Sequence, residues 1–213
     1  MKRLAVWVLL IVLAAAGPFY APDASAERTG PYRILILVSA PAGINYNLIR
    51  DALELEGWEV TVTGLTETVN QCAYAPGGPI PVDVLIPDVA DVTAYDVLFI
   101  STSRSWAPDP YRDILDSPDA MALVTTAAQN NMLVAALCAG VRVLAAADVI
   151  HGVQVTGKTE FEDEYIAAGA VFLGEGVPPV LDGNILTSVR NQLNRTRLPQ
   201  LMAAAVDSLR ALP

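Results

Sequence analysis

The sequence predicts a doubly wound α/β domain, in which a mostly parallel sheet lies between two layers of helices. Strand-like and helix-like patterns alternate from Arg33 onward at the spacing of β-α-β units, which build parallel sheets. The strand-like segment 95–102 is continuously apolar, as expected for a strand that helices cover on both faces. The 213 residues fit one domain with a sizeable core, and no internal repeat or second domain is evident.

The first half of the domain predicts strands separated by one helix and one long connection. RILILVS (33–39) predicts a buried strand, and apolar residues at helical spacing predict a helix over 44–57. WEVTVTGL (58–65) alternates as a strand. Segment 66–83 is rich in Pro and Gly without a period, which predicts a loop, and 84–88 is predicted to be short and extended.

The second half continues the alternation. A helix is predicted over 111–130, a buried strand over 132–137, and about thirteen helical residues between Cys138 and His151. A short strand in GVQVTGK, a helix ending at Gly169 and three short strands follow. Two of those strands form a hairpin around Asp182-Gly183-Asn184, and an amphipathic helix over 197–212 closes the chain.

The N-terminus has the layout of a secretory signal peptide. Lys2 and Arg3 precede thirteen apolar residues, and Ala24-Ser25-Ala26 forms a small-x-small cleavage site. The alternative is an uncleaved anchor, but thirteen apolar residues fall short of the ~20 that a membrane helix needs. We therefore expect residues 1–26 to be removed, which leaves 27–213 as one exported domain without a stable membrane span.

Charge and composition exclude several classes of partner. Without residues 1–26 the chain keeps 11 cations and 22 acidic residues, a formal charge of −11. Such a chain repels phosphate backbones, so no nucleic-acid partner is expected. One histidine and the lack of paired carboxylates argue against a metal site, and no cofactor is indicated. A small-molecule partner is compatible with this composition.

Cys138 is the candidate reactive residue. It follows the predicted strand 132–137 and precedes Ala139 and Gly140, so it lies at a tight turn into a helix, whose N-terminus favours a thiolate. The alternatives are a small buried apolar residue and a disulfide with Cys72, the other cysteine of the exported domain.

The segment AALCAGVRVLAAADVIHGVQVTG is followed by a predicted helix, and the segment VLDGNILTS precedes the last predicted helix. Together these segments resemble the ThiJ/PfpI family. This family includes the parkinsonism-associated deglycase and archaeal intracellular proteases. The resemblance extends from about Arg33 over nearly the whole chain. It implies a flavodoxin-like fold of the class I glutamine amidotransferase-like type, a homodimer, and Cys138 as nucleophile of a cysteine-dependent hydrolase or lyase.

The sequence departs from the family at the partners of that cysteine. Asn45 lies at about the position of a family Glu, Ser101-Thr102-Ser103 replaces the Pro-Gly-Gly of the oxyanion loop, and Lys158 lies at about the position of a deglycase His. The site predicted from the resemblance is therefore Cys138 with Asn45 and the backbone N–H of Ser103 or Ala139. Protease-like members have a His at the position of Ala139, so protease activity is not expected. Lys158 could stabilise a thiolate or be an ordinary surface lysine.

His151, the one histidine of the chain, could be a general base for Cys138 or a helix C-terminal residue before Gly152. About thirteen intervening helical residues would separate the two side chains by roughly 20 Å, which favours the second interpretation. Two functions remain open. One is an exported, cysteine-dependent enzyme acting on small reactive carbonyls, isonitriles or glycated groups; the other is a non-catalytic binding protein or a redox- or stress-responsive protein.

Overall fold

The computed structural model describes residues 31–43, 45–75, 77–101, 109–189 and 197–211. The helices of this part of the chain are α1 (Asn45–Leu55), α2 (Arg112–Leu115), α3 (Pro118–Gln129), α4 (Val141–Ala146), α5 (Glu162–Ala167) and α6 (Leu198–Arg210). Its strands are β1 (Arg33–Leu37), β2 (Glu59–Gly64), β3 (Thr68–Val69), β4 (Ile80–Pro81), β5 (Val84–Leu85), β6 (Val97–Ile100), β7 (Leu133–Leu137), β8 (Gln154–Val155), β9 (Val171–Phe172), β10 (Val180–Asp182) and β11 (Ile185–Ser188).

Seven strands form one sheet in the order β10-β11-β7-β6-β1-β2-β5. Neighbouring strands run parallel from β11 to β5, and only the edge pair β10–β11 is antiparallel. That pair is the hairpin predicted around residues 182–184, and Gly183 takes a positive φ of 59° in its turn. The predicted α/β fold with a mostly parallel sheet is confirmed.

The alternation of side chains along each strand divides the core into two layers. On β1, Leu35 and Leu37 belong to a layer that the helices α2 to α5 cover, whereas Ile34 and Ile36 belong to a layer under α1 and α6. All four side chains are fully buried. Helices therefore cover both faces of the sheet, which is why the central strands are apolar at successive positions. Each buried Leu or Ile stabilises the fold by about 1.5–3 kcal/mol.

Two predicted helices differ from the observed ones. The helix expected over 111–130 is interrupted at Ser117, whose extended backbone precedes Pro118 and whose hydroxyl accepts a hydrogen bond from the Ala120 N–H at 3.2 Å. The helix expected to reach His151 ends at Ala146, because Asp148 adopts a left-handed φ of 56° that turns the chain. Neither break follows from apolar spacing.

Segment 66–88 also contains more structure than its composition predicts. Strands β3 and β4 pair antiparallel within the expected loop, through Thr68↔Pro81 and Val69↔Ile80. Of the stretch expected to be extended, only Val84–Leu85 is a strand, and Ile86–Asp88 forms a 3₁₀ turn with Pro87 in it. Strands of two residues are too short to show an alternating pattern.

No helix within the described ranges is long and apolar enough to cross a membrane. The expected signal peptide, residues 1–26, lies outside those ranges.

Candidate functional site

The carboxyl ends of the parallel strands meet at one edge of the sheet, where ligands of open α/β folds gather. Cys138 lies at this edge, directly after β7. Its φ of 59° is left-handed, which is uncommon for a residue with a side chain, and residues Cys138–Gly140 form a 3₁₀ turn that leads into α4. The backbone therefore turns sharply at the sulfur-bearing residue, as the sequence predicts.

Gly140 allows this turn to pack closely on the neighbouring strand β6. A Cβ atom there would lie 3.1 Å from the Ile100 Cγ2, 3.1 Å from the Tyr111 hydroxyl and 3.3 Å from the Ile100 carbonyl oxygen. Ala139 is buried beside it. A side chain at position 140 would therefore press on β6.

The Cys138 thiol is half-buried, and both cysteines are free, so the disulfide with Cys72 is not formed. Burial raises the pKa of the thiol; a hydrogen bond from the Ala139 N–H and the charge of Lys158 lower it, but the net shift is upward. This result differs from the expectation that the following helix favours a thiolate, because burial raises the pKa of Cys138 more than the Ala139 N–H and Lys158 lower it.

Lys158 lies beside the thiol and forms an ion pair rather than being an isolated surface lysine. Its Nζ donates to the Glu175 Oε1 at 2.7 Å, and the Thr159 N–H donates to the other carboxylate oxygen at 3.2 Å. The bond to Glu175 raises the pKa of Lys158, so the ammonium stays charged. Burial alone would raise the pKa of Glu175, but the bonds from Lys158 and Thr159 lower it on balance.

The segment before Lys158 is fixed to the main sheet next to β7. The Thr156 N–H donates to the Thr187 Oγ1 at 3.0 Å, and the Thr156 hydroxyl donates to the Gly174 carbonyl at 2.6 Å. Thr187 belongs to β11 and pairs with Ala136, two residues before Cys138. This path brings residues 156–158 and 174–175 to the thiol.

Tyr165 of α5 completes the surroundings of the thiol. Its side chain is fully buried, and its hydroxyl has no hydrogen-bond partner. Burial and then the nearby Cys138 raise the pKa of the phenol far above its usual range; the Lys158 N–H opposes this slightly without reaching hydrogen-bond geometry. Sequence patterns place Tyr165 on a helix but give no signal that it lies near Cys138.

The residues predicted for the site are only partly brought together. Ala139 lies next to Cys138 in the turn. Asn45 is the half-buried first residue of α1, and within the described ranges no hydrogen bond joins it to Cys138. Ser103 lies outside the described residues. Of the side chains beyond that predicted set, the structure adds Lys158, which sequence analysis left open, and Glu175 and Tyr165, which it missed.

His151 lies in the exposed turn after α4. It packs against Gly169 at the end of α5, where an added Cβ would come within 2.6 Å of its imidazole Cδ2. The adjacent Gly152 N–H donates to the Gly169 carbonyl at 2.8 Å. His151 is therefore not the last residue of α4, which ends at Ala146, and it is not among the groups that perturb the Cys138 thiol most.

Arg142, one turn after Cys138, anchors the helix that follows the thiol. Its guanidinium is buried and donates to both Glu164 oxygens at 2.8 and 2.9 Å, to the Asp109 Oδ1 at 2.7 Å and to the Pro110 carbonyl at 2.6 Å. Glu164 is one of three acidic residues in the first turn of α5, and it also pairs with the buried Arg142 guanidinium. No group of three or more His, Cys, Asp or Glu side chains within the described ranges is arranged to hold a metal ion.

Comparisons with known proteins agree with this architecture. The family model of the DJ-1/PfpI family matches residues 33–202. A two-domain protein of Anabaena variabilis, with DJ-1/ThiJ/PfpI-like and ferritin-like domains, is 25% identical with a TM-score of 0.69; the match covers 85% of this chain and 50% of that one. This chain therefore spans about half the length of that protein.

Two further solved structures show the same fold. A ThiJ/PfpI domain protein of Brachyspira murdochii is 20% identical with a TM-score of 0.68, over 86% of this chain and 100% of that one. DJ-1beta of Drosophila melanogaster is 20% identical with a TM-score of 0.68, over 84% and 96% of the two chains. A comparison with curated protein sequences found no match.

Proposed function

The chain belongs to the DJ-1/PfpI family, and from that premise we propose that Cys138 is a reactive thiol that adds to small carbonyl compounds. The observation that carries the proposal is the position of this thiol in a left-handed turn at the carboxyl edge of the sheet, with the Lys158 ammonium held beside it by Glu175. The charge of Lys158 favours the thiolate and the alkoxide that forms when sulfur attacks a carbonyl carbon.

Among the described residues no carboxylate or imidazole is hydrogen-bonded to the Cys138 thiol, and the nearby Glu175 carboxylate is already paired with Lys158. The sequence resemblance places Asn45 and Lys158 at about the positions of the family Glu and His, and neither an amide nor a charged ammonium acts as a base for the thiol proton. Because burial also raises the pKa of Cys138, we expect slow addition that accelerates with pH rather than rapid turnover. Peptide hydrolysis, which needs a base and a leaving-group acid, is not proposed.

The test is the loss of methylglyoxal by the purified chain without residues 1–26. Wild-type protein is expected to consume it or to form a reversible adduct, Cys138→Ala is expected to abolish this reaction, and Cys72→Ala is expected to leave it unchanged, since the Cys72 side chain is almost fully buried. A Cys138→Ala protein that consumes methylglyoxal as fast as the wild type would refute the proposal.

The lack of a carboxylate or imidazole hydrogen-bonded to Cys138 in the described part of the chain favours a second candidate, a non-catalytic thiol that responds to oxidants. Intact mass after treatment with hydrogen peroxide distinguishes the two. Oxygen addition at Cys138 without any turnover of carbonyl compounds supports the second candidate, and a two-hydrogen deficit that a reductant reverses would mean that the thiol pairs with Cys72.

We also propose that the protein is exported after cleavage behind Ala26 and acts as a homodimer on a small molecule. The signal-like layout of residues 1–26 and the family resemblance support these two points. Protein recovered from an expressing bacterium should begin at Glu27 and sediment as a dimer; an intact Met1 on a membrane-bound protein would refute export.

A further inference from the structure

One buried hydroxyl near Cys138 is unpaired. Tyr165 has no exposed surface, and its hydroxyl is one of three buried side-chain polar atoms in the described part of the chain that lack a hydrogen-bond partner. An unpaired buried hydroxyl destabilises the fold, and a ligand able to accept its hydrogen bond would remove that cost.

The hydroxyl is held in one place by packing. A Cβ atom on Gly157 would lie 2.7 Å from the Tyr165 Cε2 and 2.8 Å from its hydroxyl oxygen, so the phenol end rests directly on the Gly157 backbone. On another side the ring meets Phe172 with a centroid distance of 5.5 Å. A group fixed in this way is preorganised to donate in one direction.

The path of the chain brings the Tyr165 hydroxyl towards the Cys138 thiol. Gly157 lies between Thr156, which is bonded to Thr187 of β11, and Lys158, whose ammonium lowers the pKa of the Cys138 thiol. Strand β11 runs beside β7, and β7 ends at the residue before Cys138. The Tyr165 hydroxyl and the Cys138 sulfur therefore belong to one site.

We infer that Tyr165 is a binding residue of this site, whose hydroxyl donates a hydrogen bond to an oxygen atom that Cys138 acquires when it reacts. The inference rests on the proposed function for its main substrate class, small carbonyl compounds. In that reaction the Cys138 sulfur bonds to the carbonyl carbon, the π electron pair of the carbonyl moves to its oxygen, and the thiol proton is transferred to that oxygen. The phenol, which burial keeps neutral, donates to the same oxygen.

Hydrogen peroxide gives the same acceptor by a different route. The sulfur bonds to one peroxide oxygen, the O–O bond breaks and water leaves, so Cys138 becomes a sulfenic acid with oxygen on sulfur. Methylglyoxal and hydrogen peroxide therefore test the hydrogen bond from the Tyr165 hydroxyl with and without carbonyl chemistry.

The experiment compares the wild type with Tyr165→Phe, which keeps the ring and its packing. Tyr32→Phe is the control, since the Tyr32 hydroxyl bonds Asp207 at 2.8 Å near the start of β1. Adduct stability is measured as protection of Cys138 by methylglyoxal against alkylation, and sulfenic-acid lifetime is measured by trapping with dimedone. We expect Tyr165→Phe to weaken the adduct and shorten the lifetime about 3- to 10-fold, while the alkylation rate without methylglyoxal and the melting temperature do not fall.

A Tyr165→Phe protein that equals the wild type in both assays, or that fails to fold, overturns the inference. If the wild type forms no methylglyoxal adduct but its sulfenic acid still depends on Tyr165, the carbonyl function fails and the inference stands. Failure of wild-type Cys138 to react with either reagent overturns both.

Discussion

Cys138 lies among charges of opposite sign, and its reactivity depends on their balance. Burial raises the pKa of the thiol most; Lys158 lowers it, whereas the carboxylates of Glu175 and Glu160 raise it. Because the net pKa is above the ordinary thiol value, less thiolate is present at neutral pH than for an exposed cysteine, and alkylation should still accelerate at pH values above that ordinary value.

Removing the Lys158 charge should slow the reaction of the Cys138 thiol with alkylating reagents. We expect Lys158→Met to reduce the rate of alkylation by iodoacetamide at neutral pH about two- to fivefold, because the pKa of Cys138 rises further. Glu175→Gln should act in the opposite direction, and Lys158→Arg, which keeps the charge, should stay near the wild type. A Lys158→Met protein with an unchanged pH profile would show that this ammonium does not act on the sulfur.

At the scale of the elements, the 3₁₀ turn Cys138–Gly140 joins β7 to α4 and lies against the end of β6. Gly140→Ala should destabilise the fold by about 1–3 kcal/mol, since its Cβ would press on the backbone carbonyl of Ile100 as well as on two side chains. Gly176→Ala, where no atom lies within 4 Å of the added carbon, should change stability by less than about 0.5 kcal/mol. Urea unfolding of the two variants checks this contrast, and equal effects would contradict the packing described for the turn.

At the scale of the whole molecule, the sequence predicts what depends on local pattern and misses what depends on distant pairing. The longer strands of the main sheet and the turn at Cys138 follow from apolar runs and from the Cys-Ala-Gly sequence, whereas β3 and β4 do not. The early end of α4 depends on a left-handed Asp148, a conformation that no periodicity shows. The site itself needs Lys158, Tyr165 and Glu175 together, which the small β8–β9 sheet and the contact of Thr156 with β11 bring near Cys138.

The burial of Cys138 and Tyr165 should make the folded state less stable at alkaline pH. Burial raises the pKa of both Cys138 and Tyr165, so the folded state holds these protons more tightly than the unfolded chain. The stability that results is complete below the ordinary pKa values, about 8.5 for a thiol and about 10 for a phenol, and is lost as pH rises through the higher folded values. The melting temperature should therefore fall between about pH 8 and about pH 11. In the double variant Cys138→Ala/Tyr165→Phe that fall should be smaller by at least about 4 °C, because neither proton remains to be lost. A double variant whose melting temperature falls as far as that of the wild type would show that these two groups do not titrate from buried positions.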